Sequence, residues 1–193
     1  LLIGGWRVTI PIASGDASTA VATAVAAATY TNTAVTAGAS SSTVTFTAKN
    51  DGTPGNDISI VVLQAVAGVG TTITAMASGA TNPDLTTTIT AMAGQIWTHI
   101  ACSFNDDGSA DDLEEELLNR AGPYVDLRGH LFLGYRGSLA NALIYGAARN
   151  SEFCSVSTLV SARSTPWELA AWLCMADADE DGEVVRIHAF GRS

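Results

Sequence analysis

The sequence predicts an α/β protein whose main part, about residues 67–193, is a mostly parallel sheet with flanking helices. Residues 130–135 (HLFLGY) and 153–159 (FCSVSTL) are apolar runs of strand length. Between them, residues 138–149 (SLANALIYGAAR) carry apolar side chains at helical spacing. Strands that alternate with helices of about a dozen residues pair in parallel through right-handed crossovers.

Local signals specify two helices of this part. In the first helix, apolar residues recur three and four positions apart, at Leu139, Leu143, Ala147, Ala140 and Ile144. The second helix, residues 165–175, opens with Thr165, Pro166 and Glu168. This is the order of a capping residue, a first-position proline and a capping-box glutamate.

The strand predicted for residues 96–104 (IWTHIACSF) is followed by another helix. Ser109 with Asp112 three residues later has the capping-box pattern, and Gly122-Pro123 ends the helix. Its predicted buried stripe is Leu113, Leu117, Leu118 and Ala121. Its first turns are acidic, at Asp111, Asp112, Glu114 and Glu115. We interpret these carboxylates as a solvated face near the positive end of the helix dipole; a carboxylate metal cluster is the alternative.

Residues 1–66 predict a small satellite domain in β-helix-β-β-β order. Residues 1–12 alternate apolar and polar side chains, as a half-buried strand does. The Ala-rich segment 17–30 favours a helix. Further strands are predicted at residues 35–37, 43–48 and 58–63, with turn residues at 49–56.

The heptapeptide TTITAMA occurs at residues 71–77 and again at residues 87–93. Local propensity is identical in the two copies, so only their context separates them. The first copy follows Gly70, whereas the second follows the sequence NPD at residues 82–84, which is a helix-start signal. We therefore predict a strand for the first copy and a helix for the second.

Composition excludes several classes of partner. The net charge is −10 and only 15% of the residues are charged. Phosphate neutralisation needs clustered Lys and Arg, so we expect no nucleic acid and no anionic membrane as partners. No apolar run has the length of a membrane span. Cys102, Cys154 and Cys174 lie far apart in apolar runs, which predicts buried free thiols in a reducing compartment.

The sequence predicts no catalytic, cofactor-binding or metal-ligating residue, and we expect no enzyme activity. Ser138 lacks the glycine two residues later that a nucleophile elbow needs, so we interpret it as a helix cap. His99, His130 and His188 are interpreted as structural or surface residues. Gly68-Val-Gly70 lacks the third glycine of a dinucleotide fingerprint.

A near match to a calcium-binding loop follows the last predicted helix. Its first, third, fifth and sixth positions are occupied by Asp177, Asp179, Asp181 and Gly182. The twelfth position, which normally supplies a bidentate Glu, is His188. We therefore predict no tight calcium site, and a calcium-assisted binding module is an alternative function.

Five stretches of the chain carry a family resemblance through their succession. They are residues 3–18 (IGGWRVTIPIASGDAS), 45–60 (TFTAKNDGTPGNDISI), 78–85 (SGATNPDL), 113–126 (LEEELLNRAGPYVD) and 134–172 (GYRGSLANALIYGAARNSEFCSV to STPWELAAW). In this order they resemble the central part of contractile phage tail sheath proteins of the Mu-like type. The final DADEDGEVVRIHAFGRS departs from the Pro-containing continuation that is usual in that family.

The resemblance implies a structural subunit that polymerises around a tail tube and contracts to drive the tube through the host envelope. It implies a location in the virion tail, after assembly in the host cytoplasm, with neighbouring sheath subunits and the tail tube as partners. In this family, terminal arms add strands to the adjacent subunit's sheet. Neither arm is evident, and the chain begins at Leu1 within a strand-like run, so we expect a fragment that is a monomer in isolation. The remaining alternatives are a binding module of unknown ligand and an enzyme with an unmarked site at the carboxyl ends of the strands.

Overall fold

A computed structural model describes residues 1–64, 67–159 and 164–180. The strands are β1 Leu2–Ile3, β2 Trp6–Arg7, β3 Val35–Ser40, β4 Thr43–Ala48, β5 Ile60–Val61, β6 His99–Cys102, β7 His130–Arg136 and β8 Cys154–Leu159. The helices are α1 Ser18–Ala27, α2 Thr86–Met92, α3 Asp107–Arg120, α4 Leu139–Ala148 and α5 Pro166–Glu180, with a 3-10 turn at Thr53–Asp57. The predicted α/β class is confirmed.

The parallel sheet has the order β6-β7-β8, with β7 paired to both neighbours. Leu131 and Leu133 of β7 are fully buried and pack in one core with Leu113 and Leu117 of α3. Gly134, whose alternation places it on the other face, lies against the first turn of α5. The sheet is therefore covered by α3 on one face and by α5 on the other.

Helix α3 begins at Asp107, so the prediction of Ser109 as its cap is wrong. Asp106 is the N-cap, because its carboxylate accepts hydrogen bonds from the amide and the hydroxyl of Ser109, both at 3.0 Å. Leu113 and Leu117 are buried as predicted, whereas Leu118 is 59% exposed. Leu118 lies about 100° around the helix from Leu117, which turns it away from the sheet.

The predicted continuous strand over residues 1–12 is wrong, because a turn divides it into β1 and β2. Gly4 and Gly5 have φ values of 52° and 87°, a left-handed conformation that glycine adopts without steric cost. The two strands pair antiparallel, and β1 pairs on its other side with β5. The predicted strand at residues 58–63 is thereby reduced to Ile60–Val61.

Strands β3 and β4 form an antiparallel hairpin against which α1 packs. Exposed threonines alternate along β4 with half-buried residues, as the period of two predicts. Phe46 of β4 packs edge-to-face on Tyr30, with ring centroids 5.9 Å apart. These residues belong to an N-terminal cluster whose buried members are Ile3, Val8, Tyr30, Val35 and Ile58.

The two copies of TTITAMA differ in structure. The second copy lies in α2, as predicted, and the Asp84 carboxylate accepts hydrogen bonds from the Thr86 amide at 2.8 Å and from its hydroxyl at 2.6 Å. The first copy lies in no helix or strand, so the predicted strand is wrong. Its Met76 packs against the N-terminal cluster, and this burial takes the place of strand pairing.

Equivalent substitutions in the two copies should have unequal effects. Ile89 packs against the core of the parallel sheet, whereas Ile73 is 43% exposed. We expect Ile89→Ala to lower the free energy of unfolding by about 1–2 kcal/mol and Ile73→Ala to change it by less than about 0.5 kcal/mol. Urea denaturation of both variants measures the difference, and equal losses would contradict the described packing.

Candidate functional site

His99 and His130 lie side by side on the face of the sheet that α5 covers. They are register partners at the amino ends of β6 and β7. His99 Nε2 lies 3.1 Å from Asp177 Oδ2, and His130 Nε2 lies 2.8 Å from Ser155 Oγ. Burial lowers the pKa of His130 from its ordinary value of 6.5, so its imidazole is neutral at pH 7.

The pairing of Ser155 with His130 is a contact that residue spacing in the sequence does not reveal. A nucleophilic triad needs a carboxylate on the second nitrogen of the same histidine, whereas Asp177 binds His99. Phe132 packs against both imidazoles, with centroid distances of 6.1 Å and 5.0 Å. These contacts are those of histidines packed on neighbouring strands of a sheet.

A shallow cleft of about 440 Å³ opens at the carboxyl end of β6, the edge at which parallel sheets bind ligands. Asn82 Oδ1 accepts hydrogen bonds from the Thr53 amide at 2.8 Å and from its hydroxyl at 3.0 Å. The Asn82 amide group donates to Asp106, which caps α3 through Ser109. These four residues therefore form a hydrogen-bond chain from the 3-10 turn to α3.

Further contacts reinforce this junction between the N-terminal part and the parallel sheet. The Asn56 side chain bonds both backbone groups of Gly79, at 2.8 Å and 2.9 Å. Arg136 Nη1 donates to the carbonyl oxygen of Asp57 at 2.7 Å. Burial raises the pKa of the Asp57 carboxyl, and the Arg136 guanidinium offsets part of this rise. The junction joins three of the stretches that carry the family resemblance, residues 45–60, 78–85 and 134–172.

The acidic first turns of α3 contact a buried arginine that follows α4. The Arg149 side chain is 6% exposed and lies 3.0 Å from Asp107 Oδ1 and 3.5 Å from Glu114 Oε1. It also donates a hydrogen bond to Asp111. Asp111 stays 67% exposed, as predicted, but Glu114 is only 18% exposed. The interpretation of a solvated face is therefore right for Asp111 and wrong for Glu114, and the ion pairs tie α4 to α3.

The prediction of Ser138 as a helix cap is confirmed, since its hydroxyl oxygen accepts a hydrogen bond from the Asn141 amide at 3.2 Å. Cys102, Cys154 and Cys174 are free and buried, as predicted. Burial raises the pKa of the Cys102 thiol to about 11 and that of Cys154 to about 12. Burial also raises the pKa of the Cys174 thiol, so all three thiols are protonated at neutral pH.

The described ranges contain no group of three or more His, Cys, Asp or Glu side chains placed to hold a metal. Helix α5 continues through Glu180, so Asp177 and Asp179 belong to a helix and not to a loop. Asp181, Gly182 and His188 lie outside the described residues.

Calcium is expected to bind this segment no more tightly than millimolar. Residues two positions apart on a helix point about 200° apart, so Asp177 and Asp179 diverge, and Asp177 already contacts His99. The bidentate ligand of the twelfth position is also missing. Isothermal titration calorimetry with calcium measures the affinity. A micromolar dissociation constant would contradict this expectation and favour the binding-module alternative.

Helix α4 turns an apolar side toward solvent. Leu139, Leu143 and Ile144 are 63%, 67% and 70% exposed, and Ala142 is buried toward the sheet. The helix contains no charged residue. The apolar residues whose spacing predicts this helix therefore lie on its outer side: Leu139, Ala140, Leu143, Ile144 and Ala147. Together with the exposed Ala148, they form a surface that we call the α4 face.

Helix α5 exposes a second apolar group on its outer side. Trp172 is 74% exposed and Met175 is 44% exposed, whereas Ala170, Cys174 and Ala178 are buried. We call Trp172, Met175 and the exposed Ala176 the α5 face. In the part of the chain that the structure describes, no helix is both long and apolar enough to cross a membrane.

The chain matches no model of a known protein family. Among curated proteins, it is similar to the Mu-like prophage FluMu tail sheath protein of Haemophilus influenzae, with 29% identity over 136 residues. The match covers 68% of the chain and 27% of the relative, so the chain spans about a quarter of that relative's length. The resemblance predicted from the five stretches is thus confirmed: the chain is similar to a fragment of a Mu-like tail sheath protein.

Proposed function

We propose that this chain is part of the structural subunit of a contractile phage tail sheath and acts through contacts between subunits. The observation that carries the proposal is the match to a tail sheath protein over 68% of the chain. The uncharged α4 face supports it, because the centres of protein interfaces are depleted of charged residues. The polar residues of the carboxyl-edge cleft bond to one another, which suits a building block better than an enzyme.

In this role the subunit polymerises around the tail tube and contracts to drive the tube through the host envelope. Its partners are neighbouring sheath subunits and the tube, and its place is the virion tail after assembly in the host cytoplasm. Strongly acidic composition, with a net charge of −10, supports protein partners over nucleic acid.

We also propose that the chain divides into domains at residues 1–66 and 67–193. In the described part of the chain, every buried residue of the parallel-sheet core lies in the second range. The buried members of the N-terminal cluster come from the first, although Met76 and Trp167 pack against it. Limited proteolysis tests the division, since first cleavage far from residues 64–70 would contradict it.

Assembly of the full-length protein tests the proposed function. We expect tubes by negative-stain electron microscopy when the full-length protein is expressed. The isolated 193-residue chain is expected to be a monomer at micromolar concentration by light scattering, because single modest contacts become strong only when many are linked. A full-length protein that stays monomeric at every salt concentration would contradict the sheath function.

A further inference from the structure

We propose that the α4 face of one copy of this chain binds the α5 face of a second copy, with Trp172 as the central side chain of the contact. The inference rests on the proposed sheath function, which requires repeated contacts between copies. It goes further by naming the two surfaces and their pairing.

The α4 face is an interaction surface by its composition and its exposure. At about 100° per residue, its six residues cover one continuous half of the helix. A helix that is apolar on all sides is normally buried, and an exposed apolar patch marks a contact site. Three large aliphatic side chains of this helix are nevertheless 63–70% exposed.

Charge disfavours a contact between two α5 faces. The α5 face is bordered along the helix by Glu168 and Asp179, one turn before and two turns after Trp172. Contact between two α5 faces would bring these carboxylates against those of the other copy, whereas α4 carries no charge to repel them. In a chain of net charge −10, the uncharged α4 face is therefore well suited to accept a second copy.

The position of the two faces determines the kind of assembly. Helix α4 forms the crossover between β7 and β8 and is tied by Arg149 to α3, whereas α5 covers the opposite face of the sheet. A contact between unlike surfaces leaves one free α4 face and one free α5 face on every pair. Such heterologous contacts build open polymers unless the rotation between neighbouring copies closes a ring. An α4–α4 contact would instead form a closed dimer.

Nuclear magnetic resonance of two complementary variants tests the pairing at millimolar concentration, where a weak contact is populated. Ile144→Glu places a charge in the α4 face, and Trp172→Glu places one in the α5 face. Both side chains are at least 70% exposed in the folded chain. Leu118→Glu, at a 59% exposed leucine on α3, is the matched control. Met175→Glu replaces Trp172→Glu if the amide spectrum of the latter shows unfolding.

We expect the unaltered chain and Leu118→Glu to show concentration-dependent amide shifts in both α4 and α5. Each face variant alone should show self-association weakened by about 30-fold or more. When ¹⁵N-labelled Ile144→Glu is mixed with unlabelled Trp172→Glu, shifts should return in α5 only. The reverse labelling should return shifts in α4 only.

Two results would overturn the pairing. Concentration-dependent shifts that persist in α4 of Trp172→Glu alone would show an α4–α4 contact, and unchanged shifts in the unaltered chain up to millimolar concentration would show no contact. If the full-length protein still forms tubes in either case, the sheath function stands without this pairing. If the shifts are as expected but the full-length protein forms no tubes, the sheath function is contradicted, whereas the contact between the α4 and α5 faces stands.

Discussion

Gly134→Ala is expected to lower the free energy of unfolding by about 3 kcal/mol or more. Gly134 is buried in β7, the middle strand of the parallel sheet, and a Cβ atom there would overlap the carbonyl oxygen and carbon of Pro166. These are backbone atoms in the first turn of α5, so they cannot rotate aside as the end of a side chain can. The backbone of β7 is also held in place at this residue, because Asn105 Nδ2 donates a hydrogen bond to the Gly134 carbonyl oxygen at 2.9 Å. Accommodation therefore requires α5 to move away from the sheet.

Gly146→Ala is the matched control for this substitution. Gly146 lies within α4, and a Cβ atom there would meet nothing within 4 Å. Alanine in a helix interior is more stable than glycine by about 0.5–1 kcal/mol, so this variant should gain stability. Urea denaturation followed by circular dichroism compares the two. A Gly134→Ala variant as stable as the unaltered protein would contradict the close packing of α5 on β7.

Arg149→Met is expected to lower the free energy of unfolding by about 3 kcal/mol. Removal of the guanidinium leaves Glu114, which is 18% exposed, without its cation and breaks the connection between α3 and α4. Methionine keeps much of the aliphatic stem of the arginine, so the loss reports mainly on the ion pairs. The effect should persist in high salt, because buried pairs are screened less than exposed ones.

Arg128→Met provides the control for the loss of an arginine. Arg128 also forms an ion pair, but its side chain and that of Asp126 are 78% and 74% exposed. Exposed pairs contribute about 0–1 kcal/mol, so the change should be small and should vanish in salt. Denaturation of both variants at low and high ionic strength is the measurement. Equal losses for Arg149→Met and Arg128→Met would show that the ion pairs of the buried Arg149 contribute no more than an exposed pair.

The sequence predicts those elements whose period and end signals agree. β7 was identified from its apolar run, α4 from its spacing and the Ser138 cap, and α5 from its capping box. In α5 the Glu168 carboxylate accepts a hydrogen bond from the Thr165 amide at 3.0 Å. For the two helices the signals lie within neighbouring residues, so no distant contact is needed to predict them.

The predictions are wrong where two neighbouring residues can each cap a helix, or where a distant contact determines the conformation. Asp106 and Ser109 are both good helix caps, and only the structure shows which one accepts the bonds. The first TTITAMA copy has strand propensity, yet burial of Met76 against a distant cluster prevails.

The sequence does not predict the exposure of the α4 face, for a related reason. Spacing identifies α4 as a helix but does not orient it, because nearly all its residues are apolar. Contacts at the C-terminal end of α4 orient the helix. Tyr145 stacks on Tyr135, with ring centroids 4.6 Å apart, and Arg149 forms ion pairs with the acidic first turns of α3. A buried arginine is rare, so composition alone would place Arg149 outward and the leucines inward.

The packing of Trp167 on the N-terminal cluster constrains the order of folding during synthesis. Leu1 and Ile3 share that cluster with Trp167, and Gly4 lies close to the Thr165 methyl group. A ribosome adds about 5–20 residues per second, so the β1–β2 hairpin is made on the order of 10–30 s before the tryptophan that covers it. Until then, the apolar side chains of Leu1 and Ile3 lack part of their final packing. Residues 1–7 therefore reach their native environment only when most of the described chain already exists.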